Sequence, residues 1–203
     1  MLLEIDANNP QPHRISRLVD ILKSDGVIAY PTDTTYGIGC SIFSRKGLER
    51  IYQAKQRDRK KPFSFICSDL SEVSRYARLT DIAFRVLRRC LPGPYTFVLE
   101  ASREVPNLLT TKQRTVGIRI PDNRICMAIV RELGAPIVTT SANLSGEEPV
   151  GDPLEIERQF GSRLDIIVDG GLLLTDVSSV ISLTNDQFEI LRKGAGDLSG
   201  FQS

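Results

Sequence analysis

The chain has 203 residues, of which 41% are hydrophobic and 25% charged, a composition typical of one globular domain with a full core. Its 26 lysines and arginines nearly balance 25 acids, so the net charge of +1 excludes a general electrostatic attraction to nucleic acid or membrane. A site for an anion would need local clustering of cations. With His13 as the sole histidine, a zinc site is not expected.

The cysteines and the first residues bear on the compartment. Four cysteines lie in apolar surroundings without a Cys-x-x-Cys pair and are predicted to be buried free thiols of a reducing cytosol: Cys40, Cys67, Cys90 and Cys126. Glu4 and Asp6 stand where a signal peptide needs a basic start and a long apolar run. No apolar run is long enough to span a bilayer. The sequence therefore predicts a cytoplasmic protein without membrane partners.

Helical and strand patterns alternate through the first half of the chain. Apolar side chains at helical spacing predict helices over residues 13–24, 44–54, 69–76 and 81–90. Apolar runs predict strands over residues 26–31 and 63–67, and LPGPYTFVLEA is predicted to be a turn that feeds a strand. The segment TDTTYGIG is predicted to be a loop whose backbone can approach a ligand closely.

The second half continues the alternation and closes with strands. In TVGIRIP, apolar residues alternate with Thr115, Gly117 and Arg119, which predicts a strand with one core face and one polar, open face. Helices are predicted over residues 124–133 and 153–161, and a strand over 136–140. LDIIVDGG, VSSVISL and FEILRKG are predicted to be three closing strands that follow too closely for helical crossovers. The fold prediction is one α/β (α+β) domain with a twisted, open, mixed sheet flanked by helices.

A basic stretch, YQAKQRDRKKP, precedes one predicted strand. Residues 45–61 contain eight lysines or arginines and two acids. If the helix has ended by Lys55, then Lys55, Arg57 and Arg59 project together from an extended segment that runs into Pro62. A cluster of this kind is typical either of a solvated surface or of a clamp for an anion, and an isolated Lys-x-Arg favours the solvated surface.

Several catalytic motifs do not occur in the chain. It has no P-loop, and GIGCSI does not supply the third glycine of G-x-G-x-x-G. His13 begins an amphipathic helix, which does not suit a Ser-His-Asp triad. We therefore expect chemistry that uses no protein nucleophile and depends on positioning and on stabilisation of charge, as in phosphoryl and nucleotidyl transfer.

Six segments together resemble, in order and spacing, the YrdC/Sua5/YciO family: YPTDTTYGIG, AKQRDRKKP, TVGIRIP, TTSANLSG, VSSVISL and ILRKGAG. The hallmark of that family is Lys-x-Arg followed by Ser-x-Asn, and both are intact here. They are Lys55 with Arg57, and Ser141 with Asn143.

The resemblance implies a YrdC-like domain over residues 13–196, between an N-terminal extension (1–12) and a short C-terminal tail (197–203). It also implies a fold related to that of 3,4-dihydroxy-2-butanone 4-phosphate synthase, with a concave basic surface. The activity of that synthase is a weaker analogy than its fold, because the reaction requires acidic metal ligands and a histidine that this chain does not supply.

The best-understood members of the family are threonylcarbamoyl-AMP synthases. They condense L-threonine, bicarbonate and ATP into threonylcarbamoyl-adenylate and pyrophosphate, the first step of the N6-threonylcarbamoyl modification at adenosine 37 of certain tRNAs. The resemblance thus implies Mg²⁺ that arrives with ATP, no metal ligand from the protein and no organic cofactor. It also implies a downstream tRNA threonylcarbamoyl transferase complex as a partner.

Site residues are carried over from the family position by position. Catalytic roles fall on Lys55 and Arg57. ATP is expected at Lys55, Arg57, Lys61, Thr115, Asn143 and Arg192. Threonine is expected at Thr34, Arg119, Ser141 and Ser178, because an arginine can bind a carboxylate bidentately and hydroxyls can accept from an ammonium.

Some positions depart from the synthase pattern and look more like the YciO branch of the family: Asp58, Ile66, Asn123 and Gly151. An alternative function is therefore binding of double-stranded RNA or tRNA by a basic surface. Convergence of Arg119, Ser141 and Ser178 with the Lys-x-Arg pair in one deep pocket would favour the enzyme. An open basic groove over a filled pocket would favour the RNA binder.

Overall fold

The computed structural model describes residues 1–59, 61–109, 111–173 and 176–201. Within these ranges the helices are α1 (Pro12–Lys23), α2 (Arg45–Lys55), α3 (Leu70–Tyr76), α4 (Asp81–Cys90), α5 (Arg124–Leu133) and α6 (Pro153–Phe160). The strands are β1 (Leu2–Glu4), β2 (Ile28–Tyr30), β3 (Gly37–Ser41), β4 (Ser64–Ile66), β5 (Tyr95–Glu100), β6 (Thr115–Arg119), β7 (Ile137–Ser141), β8 (Ile166–Asp169), β9 (Ser179–Thr184) and β10 (Gln187–Arg192). Over the same ranges, no helix is both long and apolar enough to cross a membrane.

These strands form a single sheet in the order β1-β8-β2-β3-β7-β4-β6-β5-β9-β10. The pairs β1/β8, β2/β8, β4/β6 and β5/β9 are parallel. The other neighbouring pairs are antiparallel. Helix α1 packs against α5 and β3, and α2 against β3. The predicted mixed sheet with flanking helices is confirmed.

The helices agree with their predicted ranges to within one residue at each end. Local capping explains this agreement. At the start of α5, the Asn123 side chain accepts a hydrogen bond from Cys126 N at 3.0 Å. At its end, Gly134 adopts a φ of 67°, which suits glycine. Signals of this kind depend on neighbours in sequence and can be read from sequence.

The predicted loop TDTTYGIG is partly a strand, so that prediction was wrong for residues 37–39. Gly37–Ser41 is the fully buried strand β3, paired on both sides with β2 and β7. A Cβ added at Gly39 would lie 2.5 Å from Ile137 Cγ2 and 2.7 Å from Val138 O. Glycine is therefore needed here because neighbouring groups approach closely, and its low strand propensity was misleading.

The condition that the helix ends before Lys55 is not met. Helix α2 continues through Lys55, and Gln56 ends it with a left-handed φ of 51°. As a result the three cations diverge. Lys55 points inward and is 1% exposed, Arg57 is half-buried, and Arg59 lies on the surface, where it binds Glu49 at 2.9 Å.

Two further expectations need correction. The polar face of β6 is not open, because Gly117 and Arg119 are buried. Cys40, Cys67 and Cys126 are buried free thiols as predicted, but Cys90 is only half-buried. At the chain ends, β1 adds an edge strand to the sheet, and Phe201 of the predicted tail packs against aromatic rings of β5 and β10.

Candidate functional site

A cavity of about 320 Å³ lies across one face of the sheet. Its floor comes from β5, β6, β7 and β9, and its rim from the segments before β3 and β4 and the end of β10. Seven of the ten predicted site residues line it: Thr34, Arg57, Thr115, Arg119, Ser141, Ser178 and Arg192. The volume is at the small end of the range for ligand sites.

Arg119 is a buried arginine held by an acid. Its NH2 atom donates to Asp33 Oδ1 at 2.8 Å and to Thr34 Oγ1 at 3.0 Å. The residue is 9% exposed, and its Nε is buried without a hydrogen-bond partner among the described residues. The ion pair engages NH2 and fixes the guanidinium at the cavity wall.

Arg57 is fixed in a different way, by neutral groups. It donates to Thr140 Oγ1 at 3.3 Å and to Pro62 O at 2.6 Å, and its guanidinium lies 4.9 Å from the ring centre of Phe63. Burial lowers the pKa of Arg57, although an arginine stays charged at neutral pH. Its Nε also lacks a partner within the described chain. Arg57 is thus a charged donor facing the cavity.

The opposite wall joins Ser178 to Arg192. Arg192 donates to Ser178 O from Nε at 3.0 Å and to Ser178 Oγ from NH2 at 3.0 Å. The Ser178 hydroxyl also lies 2.8 Å from Thr96 Oγ1. Desolvation, followed by the charge of Arg119, lowers the pKa of Arg192. With three arginines and no acidic side chain among its described lining residues, the cavity suits an anion.

Small and hydroxyl-bearing residues make up much of the remaining wall. Thr115 Oγ1 lies 2.9 Å from Thr111 Oγ1, and Thr34 is fully buried. Between Thr115 and Arg119 on the same strand face, a Cβ at Gly117 would lie 2.8 Å from Ser64 Oγ. The hydroxyl groups can donate or accept hydrogen bonds, and the small side chains leave space for a ligand.

The other predicted residues do not line the cavity. The Lys55 ammonium donates to the carbonyl oxygens of Ser141 and Asn143, and to Asn143 Oδ1 at 3.2 Å. Burial, then the charges of Arg57 and Lys61, lowers the pKa of Lys55 from 10.5 to about 7. Asn143 Oδ1 also accepts from the Ser141 hydroxyl at 2.5 Å, and exposed Lys61 reaches Ser145 Oγ at 3.3 Å. Of the residues in this network, Ser141 lines the cavity, whereas Lys55, Lys61, Asn143 and Ser145 do not.

Three of the departures from the synthase pattern have local physical reasons. Asn123 caps α5 and donates to Thr32 O at 3.3 Å. Ile66 is buried in β4, where it pairs with Arg119 in register. At Gly151 a Cβ would lie 1.9 Å from Leu173 O, so no larger residue fits. Asp58 is exposed.

Sequence reasoning missed several residues of the site. Asp33 was not singled out, although a carboxylate beside Thr34 in a threonine-rich segment was an available signal. Thr96 and Thr140 also face the cavity. Taken alone, each resembles an ordinary strand threonine, so no local signal could have found them.

The chain is similar to known proteins over most of its length. A family model for Sua5, YciO and YrdC proteins, described as telomere recombination, matches residues 20–194. YciO of Escherichia coli K12 is 40% identical over 199 residues, which cover 97% of each chain. A threonylcarbamoyl-AMP synthase of Shigella flexneri is 34% identical over 163 residues, 79% of this chain and 86% of that protein.

Solved structures of such proteins also match most of the chain. The crystal structure of E. coli YciO matches with a TM-score of 0.95 and 38% identity, over 100% of this chain and 99% of that one. The structure of P. abyssi Sua5 complexed with L-threonine matches with a TM-score of 0.90 and 26% identity, over 96% of this chain and 57% of the longer Sua5 chain. The protein belongs to the Sua5/YciO/YrdC family.

Proposed function

We propose that the protein is an ATP-dependent threonylcarbamoyl-AMP synthase or a close relative that forms a similar adenylate. The observation that carries this proposal is one cavity lined by residues expected at the threonine site and at the ATP site. Arg119, Ser141 and Ser178 share that cavity with Arg57 and Arg192. A surface that only binds an RNA backbone would not need a buried arginine at the wall of a pocket.

The threonine end of the cavity would form around Arg119. The carboxylate of the amino acid would accept from the part of the Arg119 guanidinium that Asp33 and Thr34 leave unengaged, because both of them bind NH2. Hydroxyl oxygens of Ser141 or Ser178 would accept from the amino group. The P. abyssi Sua5 structure contains L-threonine, and we propose the same substrate here.

The reaction would need no protein nucleophile. The amine of threonine attacks the carbon of bicarbonate, water leaves, and a carbamate forms. A carbamate oxygen then attacks the α-phosphate of ATP, and pyrophosphate leaves. Arg57 and Arg192 would stabilise the charge that develops on the phosphates. Mg²⁺ would arrive on the phosphate oxygens of ATP, since no described lining residue is acidic.

The substrate is tested by release of pyrophosphate. The protein is incubated with Mg²⁺, ATP, bicarbonate and one amino acid at a time. We expect threonine to stimulate release more than any other amino acid. Stimulation by a different amino acid would support adenylate formation with another substrate. Release that no amino acid stimulates would contradict the proposal.

A matched pair of variants tests the role of Arg57. Arg57→Ala removes a cavity donor and should lower the rate of pyrophosphate release by about 100-fold or more. Arg59→Ala removes a neighbouring cation that binds Glu49 on the surface and should leave the rate unchanged. Equal rates in both variants, with both folded by circular dichroism, would refute the role of Arg57.

A further inference from the structure

Lys55 is a buried cation without a counter-ion. Its side chain is 1% exposed, and it forms no ion pair with an acid of the described chain. The charges that act on its pKa are those of two further cations, Arg57 and Lys61. An ammonium buried in this way is unfavourable unless its N–H groups are well bonded. Its contacts therefore need an explanation.

All three N–H donors of the ammonium have acceptors at the end of β7 and in the loop that follows it. They are Ser141 O, Asn143 O and Asn143 Oδ1. An ammonium has three donors, so none remains for a phosphate. The backbone of Lys55 holds the same loop, because its carbonyl accepts from Ser145 N at 3.1 Å. Side chain and backbone together attach residues 141–145 to the end of α2.

The attached loop carries a group that faces the cavity. Ser141 lines it, and its hydroxyl donates to Asn143 Oδ1, which Lys55 also holds. Arg57, two residues beyond Lys55, lines the cavity from the same side. The orientation of Ser141 therefore depends on a lysine that does not itself line the cavity.

We propose that Lys55 is a positioning residue: it holds the 141–145 loop against the end of α2 and so fixes Ser141 at the cavity wall. The loop-holding role follows from these contacts alone. Its consequence for catalysis rests on the proposed synthase function. The role differs from direct contact with the triphosphate, which the family resemblance implies for Lys55.

The protonation of Lys55 should make the attachment of the loop depend on pH. With its pKa lowered to about 7, the side chain is an ammonium below this pH and a neutral amine with two N–H donors above it. The charged groups that act on it are the cations Arg57 and Lys61, and its hydrogen-bond partners are neutral loop groups; Arg163 donates to Ala54 O, on the preceding residue, at 2.9 Å. As pH rises, one loop acceptor loses its donor, and the loop is held less firmly.

Hydrogen exchange of the backbone amides tests the proposal without any ligand. The amides to follow are Ser145, which donates to Lys55 O, and Val150, which donates to Ala142 O. Lys55→Met should lower their protection factors by about tenfold or more, while amides within β6 keep theirs. Lys46→Met, at an exposed lysine on the same helix, is the control and should change neither. Unchanged protection in a folded Lys55→Met variant would overturn the proposal.

A second measurement uses the unaltered protein, in case Lys55→Met does not fold. Between about pH 6 and about pH 8.5, the protection factor of Ser145, corrected for intrinsic exchange, should fall as Lys55 loses its proton. The Lys46→Met control should follow the same curve. A flat curve in both proteins would count against the assigned role.

ATP binding separates positioning from direct contact. If Lys55 acts through Asn143, the double variant Lys55→Met/Asn143→Ala should bind ATP no more weakly than the weaker single variant. Losses that multiply would mean that Lys55 contacts ATP and would refute the proposal. A protein that binds no ATP at all would contradict the synthase function, while the exchange experiments would still decide the role of Lys55.

Discussion

Arg119 and Asp33 illustrate how single residues prepare the cavity. Asp33 uses both carboxylate oxygens: Oδ1 accepts from Arg119, and Oδ2 accepts from Asp122 N at 3.1 Å. Both side chains are about one-tenth exposed or less, at 11% and 8%. A buried pair of this kind adds little net stability but fixes geometry, and the loss of one partner leaves an uncompensated charge.

Asp33→Asn should therefore destabilise the protein by about 3 kcal/mol, because Arg119 would remain buried without its acid. Urea unfolding measures the change in free energy. The control is Glu100→Gln, which breaks the exposed pair with Arg78 at 3.5 Å and should change stability by less than about 1 kcal/mol. Equal effects of the two substitutions would mean that the buried pair has no special role.

At the scale of elements, the segment that follows β8 contacts the segment that precedes α6. The segment that follows β8 passes Gly151, and Leu173 N donates to Gly151 O at 3.0 Å. The same segment is tied by the Tyr36 hydroxyl, which donates to Gly171 O at 2.8 Å. Farther along it, Val177 and Ser178 line the cavity. The segment that leads to Val177 and Ser178 is thus held at Gly171 and Leu173 as well.

Gly151→Ser should disturb the contact between these two segments. The added Cβ would lie 1.9 Å from Leu173 O, a backbone oxygen that cannot move independently of its chain. We expect a loss of about 1 to 3 kcal/mol, typical of overpacking, in thermal or urea unfolding. Gly200→Ser is the control, because its Cβ would meet only the end of the Arg89 side chain at 3.1 Å. A Gly151→Ser variant as stable as the unaltered protein would show that the two segments can move apart to admit the side chain.

At the scale of the whole molecule, three cations of residues 45–61 are paired with acids, two of which lie elsewhere in the chain. Arg50 binds Asp165 at 2.7 Å, Lys46 lies 3.8 Å from Asp25, and Glu49 binds Arg59. Lys55 is buried, and Lys60 lies outside the described residues. Few free cations of the described stretch remain on the surface, which weakens the case for a groove that follows an RNA backbone.

We therefore expect weak binding to double-stranded RNA, with a dissociation constant above about 1 μM near physiological salt and a shallow dependence on salt. Fluorescence anisotropy with a labelled duplex measures both. The double variant Glu49→Gln/Asp165→Asn, which releases Arg59 and Arg50, should bind more tightly with a steeper salt slope. Tight binding by the unaltered protein, with a salt dependence steep enough to indicate many phosphate contacts, would favour the RNA alternative.

The sequence by itself determined the local elements and the family. The helices, most strands and the cap of α5 depend on residues a few positions apart, and ordered motifs such as Lys-x-Arg and Ser-x-Asn carried the resemblance. Only the tertiary structure decided the cavity. Arg119 meets Asp33 across 86 positions, and Lys55 meets Asn143 across 88. Which side chains face a ligand and which hold its wall depends on the order of strands and on burial, and neither is set by neighbours along the chain.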